Sequence, residues 1–187
     1  MIFYFTALIC LLIIFLEIKK RHLLIKFIRP IFYISLIGAF SYIGYLIISQ
    51  YKIFNQGLIG ASLNSESGLR WFLSYVRFHF LNSHLVSLIF AIIILCLAEY
   101  FNKKKGEIFM EREEYHLSAL GIFLVGYPGL LFYIPMVLIS GVIGSLIFIK
   151  KGERLPLYHF WIPVALVIIL IIEFWAKNQD FWKLFTF

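Results

Sequence analysis

From Tyr115 to Ile149 the chain is almost wholly apolar for about thirty residues, broken only by Gly126-Tyr127-Pro128-Gly129. Directly before this run, Lys103, Lys104 and Lys105 are followed by Glu107, Glu111, Glu113 and Glu114. A run this long and this apolar has no place on the surface of a soluble domain. Carboxylates set against the mouth of a membrane helix are costly wherever they approach hydrocarbon. Acids at that depth therefore face protein or water and mark a working site. The plainer alternative is a solvated loop whose charges only set topology.

The rest of the chain supports the membrane class. Of 187 residues, 62% are hydrophobic and 14% are charged, against about a quarter charged in an ordinary soluble domain. The mean hydropathy is +0.92. The net charge of +7 does not point to nucleic acid. The basic residues lie in short clusters between apolar runs, which is the positive-inside pattern. Cys10 and Cys96 fall inside apolar runs and read as small buried hydrophobes, not as a disulfide or a metal pair. The first run lacks a basic start and a small-residue cleavage site, so it is expected to be retained.

In chain order, the pattern predicts an all-α, polytopic membrane protein of about six transmembrane helices. The expected spans are 2–17, 31–48, 85–100, 108–126, 130–149 and 156–175. The connections at 17–29, 101–114 and 150–154 carry the lysines and arginines, so they are expected inside, with both termini outside. Pro30 suits the first turn of the second span. The fourth span must begin near Ile108 to cross a core of about 30 Å, at 1.5 Å per residue. That brings Glu111, Glu113 and Glu114 to the membrane's inner edge. The polar interval 50–82 reads as an outer loop. Within it, Leu69–Phe80 carries aromatic residues and two arginines, as an interfacial amphipathic helix would. His79 and His84 lack a carboxylate partner at ligand spacing, so no metal is expected, and no cofactor either. Glu173 is expected to reach water at the outer end of the last span. Ser140-Gly141 and Gly144-Ser145 form two overlapping small-x-x-x-small pairs, which allow close helix contact.

Topology brings Glu17, at the inner end of the first span, to the same face as Glu111, Glu113 and Glu114. Two nearby carboxylates repel each other and split their pKa values, leaving one acid and one base to activate water. The alternative is that these acids pair with Lys19, Lys20, Arg21 or Arg112 as solvated ion pairs of little energetic consequence.

Phe15-Leu16-Glu17-Ile18-Lys19-Lys20-Arg21, followed by Pro30, resembles the first motif of the prepilin leader peptidases, the membrane aspartic peptidases of type IV prepilins and preflagellins. Met110-Glu111-Arg112-Glu113, then Glu114-Tyr115-His116-Leu117-Ser118-Ala119-Leu120-Gly121, resembles the second motif and its Leu-x-Ala-Leu-Gly continuation. Gly152 to Pro163 looks like the family's last loop and the start of its sixth span. The resemblance implies six spans and cleavage of the leader of a single-span, pilin-like substrate at the cytoplasmic face of a prokaryotic inner membrane. It puts Glu17 and Glu113 in the positions of the two catalytic aspartates, with Glu111 and Glu114 as alternates. The chain departs from the family in two respects: its single aspartate is Asp180, and both motif glycines are absent.

A non-catalytic reading competes. In it the chain is a membrane scaffold or an assembly subunit of a pilus or secretion-type complex, with lipid as its surroundings and Gly141 and Gly144 as a partner contact. A third reading, a small transporter with the acids as a proton relay, is opposed by the lack of an inverted repeat.

Overall fold

The computed structural model describes residues 2–56, 65–104, 112–148 and 157–175, and every element among them is a helix. α1 runs Ile2–Gln56, α2 Glu66–Val76, α3 Asn82–Lys104, α4 Arg112–Val125, α5 Leu130–Phe148 and α6 Tyr158–Phe174. A single π-helical turn, Arg77–Leu81, joins α2 to α3 without a break.

α1 is two arms. Lys20, at φ −147° and ψ 56°, leaves the helical region and separates residues 2–19 from 21–56. In the first arm Thr6, Cys10 and Ile13 are buried. Glu17 follows at helical spacing on the same face. In the second arm Leu24, Ile28, Phe32, Ser35, Ala39 and Ile43 are buried, one every three or four residues. The helix therefore has a reason to start at residue 21: Leu24 and Ile28 can join that stripe only if they are helical. This corrects the reading of Pro30 as a helix start. Pro30 lies inside the helix on its exposed side, where the hydrogen bond its ring removes leaves a carbonyl that water can reach.

Ring and hydrogen-bond contacts fix the direction of each element. Phe3 meets Phe174 (5.7 Å between ring centroids), and Glu17 meets His159, so the first arm of α1 runs antiparallel to α6. Phe32 meets His116 and Phe40 meets Phe123, so the second arm runs parallel to α4. Asn102 bonds Tyr115 while Ser83 bonds Tyr127, which sets α3 antiparallel to α4. Glu114 meets Tyr158, and Gly129 abuts Ile172, so α4 and α6 are parallel. α5 opposes both, with Tyr133 against Trp161 and Gly141 against Leu157. The two arms of α1 and α3 to α6 thus alternate in direction. One end of the bundle carries Glu17, and the other carries Pro128.

α4 is the centre. From Glu114 to Gly126 every residue is buried. Small residues let neighbours come close: at Gly121 a Cβ would overlap the Tyr133 hydroxyl, which donates to the Trp161 carbonyl at 2.8 Å. In lipid such close packing and internal hydrogen bonds hold helices together, because burying apolar surface against apolar surface gives no hydrophobic gain. At the Pro128 end the chain turns on Gly126, whose φ of +72° favours glycine. Ser83 ties this turn to α3, its hydroxyl donating to the Tyr127 carbonyl at 2.5 Å.

Three helical stretches are long and apolar enough to cross a membrane: Phe3–Gln56, Glu66–Lys104 and Leu130–Ile147. Their outward faces are apolar too, with Leu146 80% exposed. A surface of this kind suits lipid and would drive association in water. The interval 50–82 is more helical than an outer loop: α1 continues to Gln56, and α2 starts at Glu66, capped by the Ser65 hydroxyl. Phe72 and Val76 of α2 pack on Ile47 and Phe54 of α1 in a separate apolar cluster. Beside this cluster Trp71, Tyr75 and His79 stack as a ladder of rings, with Trp71 and Tyr75 both meeting Phe54.

Candidate functional site

The polar side chains buried within the bundle gather mainly at the Glu17 end, where α1 bends, α3 ends, and α4 and α6 begin. Glu17 accepts or shares a proton with His159: Glu17 Oε1 lies 2.6 Å from His159 Nδ1. The Glu17 side chain is 9% exposed and the imidazole 47%, so the pair sits at a rim between protein and solvent. Its short distance is that of a charge-assisted bond when the imidazole is protonated.

One residue earlier, the Tyr158 backbone N–H donates to Glu114 Oε1 at 2.9 Å. Glu114 is 5% exposed. This bond answers a need set by the local sequence. Leu157 precedes α6 and supplies no side-chain cap, while the first turn of any helix leaves N–H groups without intrahelical partners. A carboxylate there also meets the positive end of the helix dipole. Glu114 therefore caps α6 from a different helix.

Arg21, the first residue past the bend, lays its guanidinium over the Tyr158 ring, 4.2 Å from its centroid. The Tyr158 and His159 rings lie 3.8 Å apart. The two residues flanking the bend region, Glu17 and Arg21, are thus held by the first two residues of α6. Behind them the Asn102 side-chain amide donates to the Tyr115 hydroxyl, closing α3 onto α4. Ser118 bonds the Tyr115 carbonyl at 2.9 Å, and His116 is buried with its ring near Phe32.

Of the acids singled out from the sequence, Glu17 and Glu114 are brought to neighbouring residues of α6. Glu113 belongs to the first turn of α4, where only its backbone is described, and Glu111 lies outside the described residues. Arg21, Tyr158 and His159 form the site with them; Arg21 closes the first motif-like stretch and Tyr158 and His159 fall within Gly152–Pro163, but none of the three was singled out as a site residue. Gly141 does not offer an open face: a Cβ there would overlap Leu157 of the same chain. Among the described residues no three His, Cys, Asp or Glu side chains gather as metal ligands would.

Chemically, the layer offers a carboxylate–imidazole pair at a rim and a deeply buried carboxylate bound to a helix terminus. The first is open to its surroundings on the imidazole side. The second is committed to an amide. Together with the apolar exterior, this defines the class: a protein all-helical among the described residues, with three stretches long and apolar enough to cross a membrane and a polar layer at one end. Compared with known proteins, the chain matches no family model, no curated protein and no solved structure.

Proposed function

We propose that the chain is a six-span integral membrane protein of a prokaryotic inner membrane, with both termini outside and the Glu17 end in the cytoplasm. It acts as a non-catalytic scaffold or assembly subunit that receives a single-span partner of the pilin type. The six alternating directions and the basic residues at the bend support the topology. One observation carries the role: Glu17 and Glu114, two of the acids at this end, are each engaged by α6, at His159 and at the Tyr158 amide. Carboxylates used this way hold helices; a cutting dyad needs two carboxyls facing a shared water.

The second reading is a leader peptidase, with Glu17 and Glu113 as the dyad and Glu111 or Glu114 as alternates. It is favoured by the position of Glu17 at the same end of the bundle as the first turn of α4, to which Glu113 belongs. The two readings separate in one experiment. Wild type, Glu17→Gln and Glu113→Gln are reconstituted with a single-span reporter bearing a basic leader before its apolar helix. The scaffold reading expects all three to retain the reporter uncut. Cleavage by wild type that either variant abolishes would establish the peptidase instead, since dyad members act as a unit. Cysteine placed at Lys103 or Lys104 and labelled from outside intact cells would overturn the topology.

A further inference from the structure

The start of the second arm of α1 carries a basic stripe that the site described above does not use. His22, Lys26 and Arg29 are all exposed. They recur after four and three residues, so they share one face of the helix. Leu24 and Ile28, both 2% exposed, lie on the opposite face against the core. The stripe therefore points away from the bundle. It is flanked by apolar side chains that are also exposed, Ile25 on one side and Phe27 on the other, each at 46%. Lys26 Nζ sits 5.7 Å from the Phe27 ring. Lys103 and Lys104 at the end of α3 are exposed at the same end of the bundle. Of the described acids at this end, Glu17 and Glu114 turn inward to α6 and Glu99 lies on α3, and no ion pair joins the stripe to a described acid.

The second arm of α1 is also too long for the hydrocarbon alone. Its 36 residues, 21–56, reach about 54 Å at 1.5 Å per residue, against about 40–45 Å for a bilayer with its headgroups. Some of its turns must lie among headgroups, and the cationic turns are the ones chemically fitted to do so.

We propose that His22, Lys26 and Arg29 form a binding stripe for the phosphates of anionic phospholipids, with Ile25 and Phe27 seated between the acyl chains. The proposal rests on the membrane reading above. Charge complementarity selects the lipid. Outward cations bordered by apolar side chains meet phosphate and hydrocarbon at one depth, as juxtamembrane basic clusters do, and a soluble anion would have no use for the apolar borders.

The test uses the full chain in vesicles of phosphatidylcholine and of an equal mixture of phosphatidylcholine and phosphatidylglycerol. The lipid that co-purifies with the protein is measured by mass spectrometry. Wild type should enrich phosphatidylglycerol over the bulk. Lys26→Gln and Arg29→Gln should each lower that enrichment about fivefold, and Lys52→Gln, at the other end of the helix, should not. Raising the salt should remove the enrichment from wild type, a measurement that needs no variant to fold. Enrichment that persists in the double variant, or that ignores salt, would overturn the proposal. Displacement of the lipid by inorganic phosphate would make the stripe a site for the free ion and overturn it as well. Failure to enter either vesicle would overturn the membrane reading itself.

Discussion

α4 and α5 follow one another in the chain, yet they occupy opposite environments: the helix with the more polar head is the enclosed one. α4 is enclosed on all sides from Glu114 onward. α5 buries Leu130, Tyr133, Val137, Gly141 and Gly144 on one stripe and exposes Leu138, Val142, Leu146 and Ile147 on the rest. Hydropathy ranks α5 above α4 but does not by itself say which of the two is enclosed by other helices. What separates the two helices is the size and polarity of their side chains. α4 carries Ser118, Ala119 and Gly121 where neighbours approach, and Glu114, Tyr115 and His116 at its head. α5 after Gly141 carries large apolar residues facing outward.

This contrast can be broken most forcefully at Gly121. Gly121→Val would drive a side chain into Tyr133 and break its bond to the Trp161 carbonyl. Overpacking of this kind costs about 1–3 kcal/mol, and the orphaned hydroxyl adds to it, so a marked loss of thermal stability in detergent is expected. Survival of the variant with unchanged stability would mean that α4 is not tightly enclosed.

Glu114 sharpens the comparison at the polar end. Glu114→Ala leaves the Tyr158 amide buried without its acceptor, a loss of about 1–3 kcal/mol. Glu114→Gln keeps an acceptor of the same length and should recover much of that stability. Equal losses in the two variants would show that charge, not the hydrogen bond, is what α6 needs.

The Glu17–His159 pair should matter less, because the imidazole is half exposed. A double-mutant cycle with Glu17→Gln and His159→Gln should give a coupling of about 1 kcal/mol or less. A coupling of several kcal/mol would indicate a site closed to solvent. The smallest effect belongs to α5: Leu146→Ala should change stability by no more than about 0.5 kcal/mol, as at other positions without tertiary contacts. A larger loss would reveal a protein partner on that face.

Much of the architecture was legible in the chain. The apolar runs lie in helices, whereas the basic cluster 17–29, expected as a connection, is helical on both sides of Lys20, and Glu17 falls on the buried face that Thr6, Cys10 and Ile13 begin. Three things were hidden, each for a physical reason. The helix across Pro30 was missed because proline marks a helix start only when nothing upstream needs to be buried, and Leu24 and Ile28 need it. That Glu114 faces inward could not be read, since a helix buried all round has no periodicity to set its phase. The partners of Glu17 and Glu114 stand 142 and 44 residues away, and no local spacing links a carboxylate to the head of a helix that far along the chain.

The capping of α6 by Glu114 has a consequence for biosynthesis. A ribosome delivers α4 before α6 exists. Until Tyr158 emerges, α4 presents Glu114, His116 and Ser118 with part of their enclosure missing, on a helix of 14 residues. Such a segment is a poor candidate for release into lipid on its own. It must be sheltered by the insertion machinery, or by α1 and α3, until the last helix arrives. A nascent chain stalled after α5 is thus a distinct species, recognisable to membrane quality control by an acid whose helix terminus has not yet been made.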